Sequence, residues 1–325
     1  MEKSAKLNEV ESSVNTDANA DAVKNTAATP ADSVQNKANA NSILKKMKQL
    51  VSASKLIEVG AHIGLNPRKW NPKMSPYIYA KRSNNLVIDV LKSLIYLNKA
   101  YSFIQELTKN GGRILIVGTN GKLIKDLIKD EAKRGQCYYI TQRWLGGTLT
   151  NFKNISKSIK KLNDNIQLQK TGEIDKYTKK EQININKETE KLSKFYGGIR
   201  TMRKLPNAII VLDPDHDKNA VAEARKLNIP VIALANTNAD PNLIDYIIPI
   251  NNHSIRSIAL ILGVLMDATC EVRNEPVKFV GKSDEEIVLP ETQSKRRFNG
   301  EPMQKASVNH ENKFSSKRNV TEETK

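Results

Sequence analysis

Asp213-Pro214-Asp215-His216-Asp217 sets three carboxylates and an imidazole directly after the apolar run Ala208 to Leu212. These groups ligate divalent cations, and the carboxyl end of a buried strand is where doubly wound folds keep their chemistry. Asp213, Asp215 and His216 with Asp240 would suit a metal-dependent phosphoesterase. Such a site needs ligands from other strand ends, and beyond Asp240 the sequence offers only Asp89, with His62 and His253 further afield. The preferred reading is plainer: Asp215 and Asp217 cap the free amides of the helix that follows. Val117-Gly118-Thr119-Asn120-Gly121-Lys122 lies where phosphate loops lie, but its glycine spacing is wrong and Leu123 stands where a P-loop needs Ser or Thr. No Ser, Cys or Lys has the neighbours of an activated nucleophile, so no catalytic residue is assigned and neither metal nor cofactor is expected.

A different chemistry runs through Gln142-Arg143-Trp144-Leu145-Gly146-Gly147-Thr148-Leu149-Thr150-Asn151-Phe152. Arg143 offers a fork for phosphate, Trp144 a flat face for a base, and the glycine pair a close backbone approach. An isolated Arg-Trp pair reads more simply as a glycine turn with a core indole; the lysine-rich surroundings favour a docking surface. The net charge is +17 and the pI about 9.6, which implies a polyanionic partner. Residues 1–40 and 276–325 together sum to zero, so the whole excess sits between them. Residues 66–82 carry Arg68, Lys69, Lys73, Lys81 and Arg82 with no acid, and residues 153–204 carry fourteen basic against six acidic groups. Residues 205–275 carry five against nine, an asymmetry that a general drift towards Lys, Asn and Ile would not produce. One face should therefore be basic and meet nucleic acid, the other mildly acidic. The expected RNA contacts are Arg68, Lys69, Trp70, Asn71, Lys73, Lys81, Arg82, Arg143, Trp144, Lys153, Lys157, Lys160 and Lys161. Glycines and prolines in Gly60-Ala61-His62-Ile63-Gly64 and Trp70-Asn71-Pro72-Lys73-Met74 put the 66–82 cations on shaped backbone.

The elements that must position these groups alternate. Strands are expected at Leu86 to Asp89, Arg113 to Gly118, Cys137 to Ile140, Ala208 to Asp213, Val231 to Ala235 and Tyr246 to Pro249. Helices are expected at Leu91 to Lys109, Lys122 to Arg134, Asn219 to Leu227 and Ile255 to Val272. Runs such as Ile114-Leu115-Ile116-Val117 are apolar on both faces and need cover on both sides, which means a mainly parallel, doubly wound sheet. Between residues 153 and 204, Phe152, Ile155, Ile159, Leu162 and Ile166, then Ile185, Glu188, Leu192, Phe195, Ile199 and Met202, recur at spacings of three and four. These are heptad seams of an inserted antiparallel helical hairpin, a coiled coil. It would project roughly 25 Å at 1.5 Å per residue. Thr178-Lys179-Lys180-Glu181 is a capping box, and Gly197-Gly198 should bend the second helix near its base.

Residues 1–40 lack large apolar side chains and should be disordered, as should 276–325, leaving 41–275 as one α/β domain. Cys137 and Cys270 are too few for a disulfide framework and read as buried, reduced thiols. The start has no secretory pattern, and the longest apolar stretch, Ile258 to Met266, is too short for a bilayer, so a soluble cytoplasmic protein is expected.

Gly60 to Gly64, Arg68 to Met74, Gln142 to Phe152, Gly197-Gly198-Ile199, Asp240-Pro241-Asn242-Leu243-Ile244-Asp245-Tyr246 and Ile255-Arg256-Ser257-Ile258, in order, resemble the bacterial small-subunit ribosomal protein S-two family. The resemblance runs from about residue 50 to 270. It implies a flavodoxin-like three-layer sandwich with a helical hairpin, and a structural role in the small ribosomal subunit supporting assembly and translation. It also implies contact with small-subunit ribosomal RNA and other ribosomal proteins of that subunit, with no membrane and no homo-oligomer. The sequence departs from the family at Leu65, Asn120, Asn252 and His253, where a histidine, a lysine and two acids are usual.

Overall fold

The computed structural model describes residues 50–287, 289 and 290; the expected disordered segment 1–40 and the C-terminal extension from 291 lie outside them. In chain order the elements are α1 (Ala53–Glu58), β1 (Ile78–Arg82), β2 (Asn85–Ile88), α2 (Val90–Lys109), β3 (Ile114–Val117), α3 (Lys122–Arg134) and β4 (Tyr138–Ile140). There follow α4 (Phe152–Thr171), α5 (Lys179–Tyr196), β5 (Ala208–Val211), α6 (Lys218–Lys226), β6 (Val231–Ala235), β7 (Tyr246–Pro249) and α7 (Ile255–Val272).

Every residue of β3, β5 and β6 is buried, as strands without a polar side chain on either face require. Five strands pair in parallel in the order β4-β3-β5-β6-β7, with Leu115 facing Tyr138 on one side and Ile209 on the other. This is the flavodoxin-like order, reversing between β3 and β5. Alternate side chains divide the core. Ile114, Ile116, Ile210, Ile232, Leu234 and Ile248 pack with α2, α3 and α7. Leu115, Val117, Ile209, Val211, Val231 and Ala233 pack with α6, Trp144, Leu149, the start of α4 and Met74. The result is a three-layer α/β sandwich. α7 is buried continuously from Ser257 to Cys270 because other elements cover it all round. No helix among the described residues is long and apolar enough to cross a membrane.

Several expectations need correction. The strand near Leu86 is not part of the parallel sheet. β2 pairs antiparallel with β1, a strand whose mostly exposed side chains give no alternation to read. The Thr178–Glu181 capping box is formed. Gly197-Gly198 ends α5 in a short 3-10 turn instead of bending it, and a Cβ on Gly198 would lie 2.1 Å from the Tyr139 carbonyl oxygen. α4 and α5 are joined through Lys161–Glu188 and by Gln169 donating to Asn186. Ile155, Ile159 and Leu162 are buried, whereas Ile185, Leu192 and Phe195 are only half-buried.

The fold also does not stop at Glu275. Asp267, fully buried, accepts hydrogen bonds from the amides of Lys278, Phe279 and Val280 at 2.9, 2.7 and 2.9 Å and pairs with Arg134. Phe279 lies on Gly263, where an added Cβ would come within 2.0 Å of its ring. Asp284 then receives the Ser52 hydroxyl, and its carbonyl the Lys55 ammonium, tying the strap to α1. The sequence hides this because Phe279, Val280 and Ile287 are a few apolar residues in an otherwise polar stretch with no helical or strand period. Phe279→Ala should lower stability by about 3–5 kcal/mol in urea unfolding. A variant as stable as the parent would mean that the strap is not docked.

Candidate nucleic-acid interface

Between β4 and α4 the chain turns through Gly146-Gly147, and Gly147 has φ +85°, a conformation that favours glycine. The turn aims several N–H groups inwards, and they meet one half-buried carboxylate on α6. Glu223 Oε1 accepts from the Trp144 indole at 3.0 Å and the Gly147 amide at 2.8 Å. Its Oε2 accepts from the amides of Leu149 and Thr150 at 2.9 and 3.1 Å and from the Thr150 hydroxyl. Partial burial pushes this carboxyl up, but the bonds from Trp144, Leu149, Gly147 and Thr150 outweigh it and hold it below the ordinary glutamate value. Trp144 is 7% exposed and packed in the core, so it is not the stacking platform expected of it. Its Arg143 neighbour is exposed. The aromatic ring left at the surface among the candidates is Trp70, 38% exposed.

Two short 3-10 turns shape the 66–82 segment. Asn66 and Asn71 accept from the amides of Arg68 and Lys73, each followed by a proline that fixes the next φ. The Asn71 amide donates to the Thr237 carbonyl at 2.8 Å, and fully buried Met74 plugs the segment into the core. Arg68, Lys69, Trp70 and Lys73 are thereby held outwards. The β1–β2 ribbon is tied down by the Gly64 amide to the Leu86 carbonyl and the Ile88 amide to the His62 carbonyl, leaving Lys81 and Arg82 exposed. On α4, burial of Ile155 and Ile159 turns Lys153, Lys157, Lys160 and Lys161 out. Met74, Trp144, Leu149, Ile155 and Ile159 belong to one apolar layer, so the candidate segments are all attached to the same face of the sheet. Their charges are not equally free. Lys73 pairs with Asp240 at 2.7 Å and Lys161 with Glu188, whereas among the described residues no acid pairs with Arg68, Lys69, Lys81, Arg82, Arg143, Lys153, Lys157 or Lys160.

The acidic cluster forms a different structure from the expected caps. Asp217 stands at the N-cap of α6 but makes no side-chain cap bond, and Asp213 closes the turn before the helix: one oxygen accepts from the amides of Asp215 and His216, the other from the Asn120 side chain. Asp217 reaches across to β3's loop and accepts from the Thr119 hydroxyl at 2.7 Å and amide at 3.3 Å. Burial raises its carboxyl, and Thr119 does not fully offset that. Asp215 meets Lys218 and Asn238, His216 is exposed, and Asp240 is on Lys73. The ligands of the hydrolase reading thus serve separate partners, and no three His, Cys, Asp or Glu groups gather to hold a metal among the described residues. Burial pushes the Cys137 thiol up to about 12 and raises that of Cys270, so neither is primed as a nucleophile.

A family model described as ribosomal protein S2 matches residues 56–272. The chain is 61% identical to the small ribosomal subunit protein uS2 of Ureaplasma urealyticum, covering 89% of this chain and 85% of the relative. It is 54% identical to uS2 of Malacoplasma penetrans, covering 76% and 69%, and 46% identical to uS2 of Mycoplasma pneumoniae, covering 74% and 82%.

Glu223, which no sequence pattern singled out, generates a test. Glu223→Gln keeps the shape but removes the charge from four amide and indole donors and one hydroxyl, and should cost on the order of 3 kcal/mol near neutral pH. Because the folded-state pKa is depressed, the charge stabilises above the unfolded value near 4.5 and the contribution fades as pH falls through the folded one. The stability gap between parent and variant must therefore narrow below about pH 4.5 in chemical unfolding. A gap that stays constant from neutral to strongly acidic pH would count against the role assigned to this carboxylate.

Proposed function

The chain belongs to the ribosomal protein S2 family, and from that premise we propose that it is a structural constituent of the bacterial small ribosomal subunit. In this reading it binds small-subunit ribosomal RNA and neighbouring ribosomal proteins in the cytoplasm and catalyses nothing. The observation that carries it is the attachment of every candidate cationic segment to one face of the sheet, on ordered backbone. Ordered cations engage phosphates at a smaller entropic cost than cations on a flexible arm. Arg68, Lys69, Lys81, Arg82, Arg143, Lys153, Lys157 and Lys160 make the phosphate contacts, with Trp70 as the accessible ring. Lys73, already held by Asp240, and Asn71, engaged in its own turn, contribute chiefly by shaping the segment.

The protein should co-sediment with small subunits in a cell extract, and its association with subunits depleted of it should weaken as salt rises. Replacing Arg68, Lys69 and Arg82 together by Gln should flatten the log–log salt dependence by roughly 0.7 to 0.9 for each phosphate no longer neutralised, with the melting temperature unchanged. An unchanged slope would remove residues 66–82 from the phosphate-binding surface. Absence from the subunit fraction would sink the functional reading itself.

A further inference from the structure

Lys218, Val221, Ala222 and Arg225 share one face of α6, and that face is one wall of a cavity of about 410 Å³. The loop after β6 and the 3-10 turn Pro241–Leu243 form the other wall. Val221, Ala239 and Ile244 are 2%, 3% and 8% exposed and give the cavity an apolar floor, whereas Leu243, which also lines it, is 49% exposed. The turn that carries Leu243 is ordered: the Leu243 amide donates to the Asp240 carbonyl at 3.4 Å and the Ile244 amide to the Pro241 carbonyl at 3.2 Å. A large apolar side chain is thus held half in water beside a concave apolar surface.

Asn238 lines the same cavity, and its amide nitrogen donates to the Asp215 carboxylate at 3.0 Å. A carboxylate only accepts, so this bond fixes which end of the carboxamide is nitrogen and leaves the oxygen on the other side. That Oδ1 is buried and has no hydrogen-bond partner among the described residues. A buried acceptor without a donor is destabilising, and an arriving N–H or O–H group would satisfy it. Both cations that line the cavity are already neutralised, Lys218 by Asp215 at 2.9 Å and Arg225 by Asp245 at 3.1 Å, and the Asp240 carboxylate by Lys73 at 2.7 Å. A phosphate therefore finds no uncompensated field here, in contrast to the surface around Arg68 and Lys69. Apolar floor, single free acceptor and a guanidinium at the edge together match a flat apolar body that carries one polar hydrogen. Tyr and Trp side chains have that chemistry, stack against guanidinium planes and are the commonest anchors of protein interfaces.

We infer that this cavity receives a Tyr or Trp side chain of another protein of the small ribosomal subunit, with its O–H or N–H on Asn238 Oδ1. The inference rests on the ribosomal role proposed above, and gives the protein–protein part of that role a place and a chemistry. Its test titrates the full-length parent, Leu243→Asn and Ala222→Gln against small subunits depleted of this protein over a series of salt concentrations. Both positions are exposed, so the variants should melt with the parent. Each should weaken association about tenfold, by a similar factor at every salt concentration, because the lost contact is not ionic. Leu243→Met should bind as the parent does. If Ala222→Gln fails to fold, the Leu243 pair decides. A photoreactive residue in place of Leu243 should cross-link, in assembled subunits, to another protein through a peptide that contains Tyr or Trp. Undiminished binding of Leu243→Asn overturns the cavity assignment, as does cross-linking to RNA, to a second copy of this chain, to a peptide without Tyr or Trp, or to nothing; the ribosomal reading then stands. A parent that does not associate with the depleted subunits overturns both.

Discussion

The Glu223 carboxylate does for the loop between β4 and α4 what a bound anion does for a phosphate loop: it gathers inward-pointing N–H groups that would otherwise compete for water. Charge-assisted bonds of this kind are worth roughly 1.5–3 kcal/mol each when the acceptor is partly withdrawn from solvent. Seating the loop seats Trp144, and Trp144 packs in the same layer as Ile155 and Ile159 at the start of α4. The loop that leads into α4, and with it the exposed Lys153, Lys157 and Lys160, is held at its start by that acceptor together with Ile155 and Ile159. The amides of Gly147, Leu149 and Thr150 are occupied internally, so in the proposed function an external phosphate would be met by Arg143 and the lysines.

The same device recurs. Asp267 gathers three amides of the C-terminal strap, and Asp217 takes the hydroxyl and amide of Thr119. Asp213, Asp217 and Asp267 are 7%, 4% and 0% exposed, so three of the nine acids that make residues 205–275 look mildly acidic in sequence are spent inside the molecule. The cations of residues 66–82 and 153–204 are mostly outside. Part of the charge asymmetry along the chain has thus become an asymmetry between interior and surface, added to that between the two faces of the sheet. The field around the exposed cations is correspondingly less cancelled than a count along the sequence suggests.

What the sequence made legible follows from local physics. Four-residue apolar runs announce parallel strands buried on both sides, and the Thr178–Glu181 box announces the start of α5, because both signals lie within a few residues. The failures have the opposite cause. Trp144 is decided by Glu223, which lies 79 positions away, so Arg next to Trp reads equally well as a docking face. Asp217, at the N-cap of α6, leaves the helix amides uncapped because its carboxylate is engaged by Thr119 in a strand connection far upstream. β1 is nearly all exposed and shows no alternation. The strap is held by Asp267 and Gly263, a buried acid and a missing side chain, neither of which marks its partner in the sequence.

A doubly wound sheet ordinarily leaves a crevice where its strand order reverses, and ligands enter there. Between β3 and β5 of this chain, Thr119 and Asn120 on one side are bonded to Asp217 and Asp213 on the other. A ligand would have to break those bonds and leave two buried carboxylates without their donors, at a cost of about 1–3 kcal/mol for each group left unsatisfied. These bonds close the crevice between β3 and β5 against a ligand. In the function proposed above, RNA recognition falls to the elements added around the sheet: the turns of residues 66–77, the β1–β2 ribbon and the helix pair α4–α5. Each hangs from the shared apolar layer by a few buried side chains, Met74, Trp144, Ile155, Ile199 and Met202 among them, with its cations on the outside. Anchoring through the core while the cations stay at the rim is what the proposed function requires of a fold built for ligand crevices.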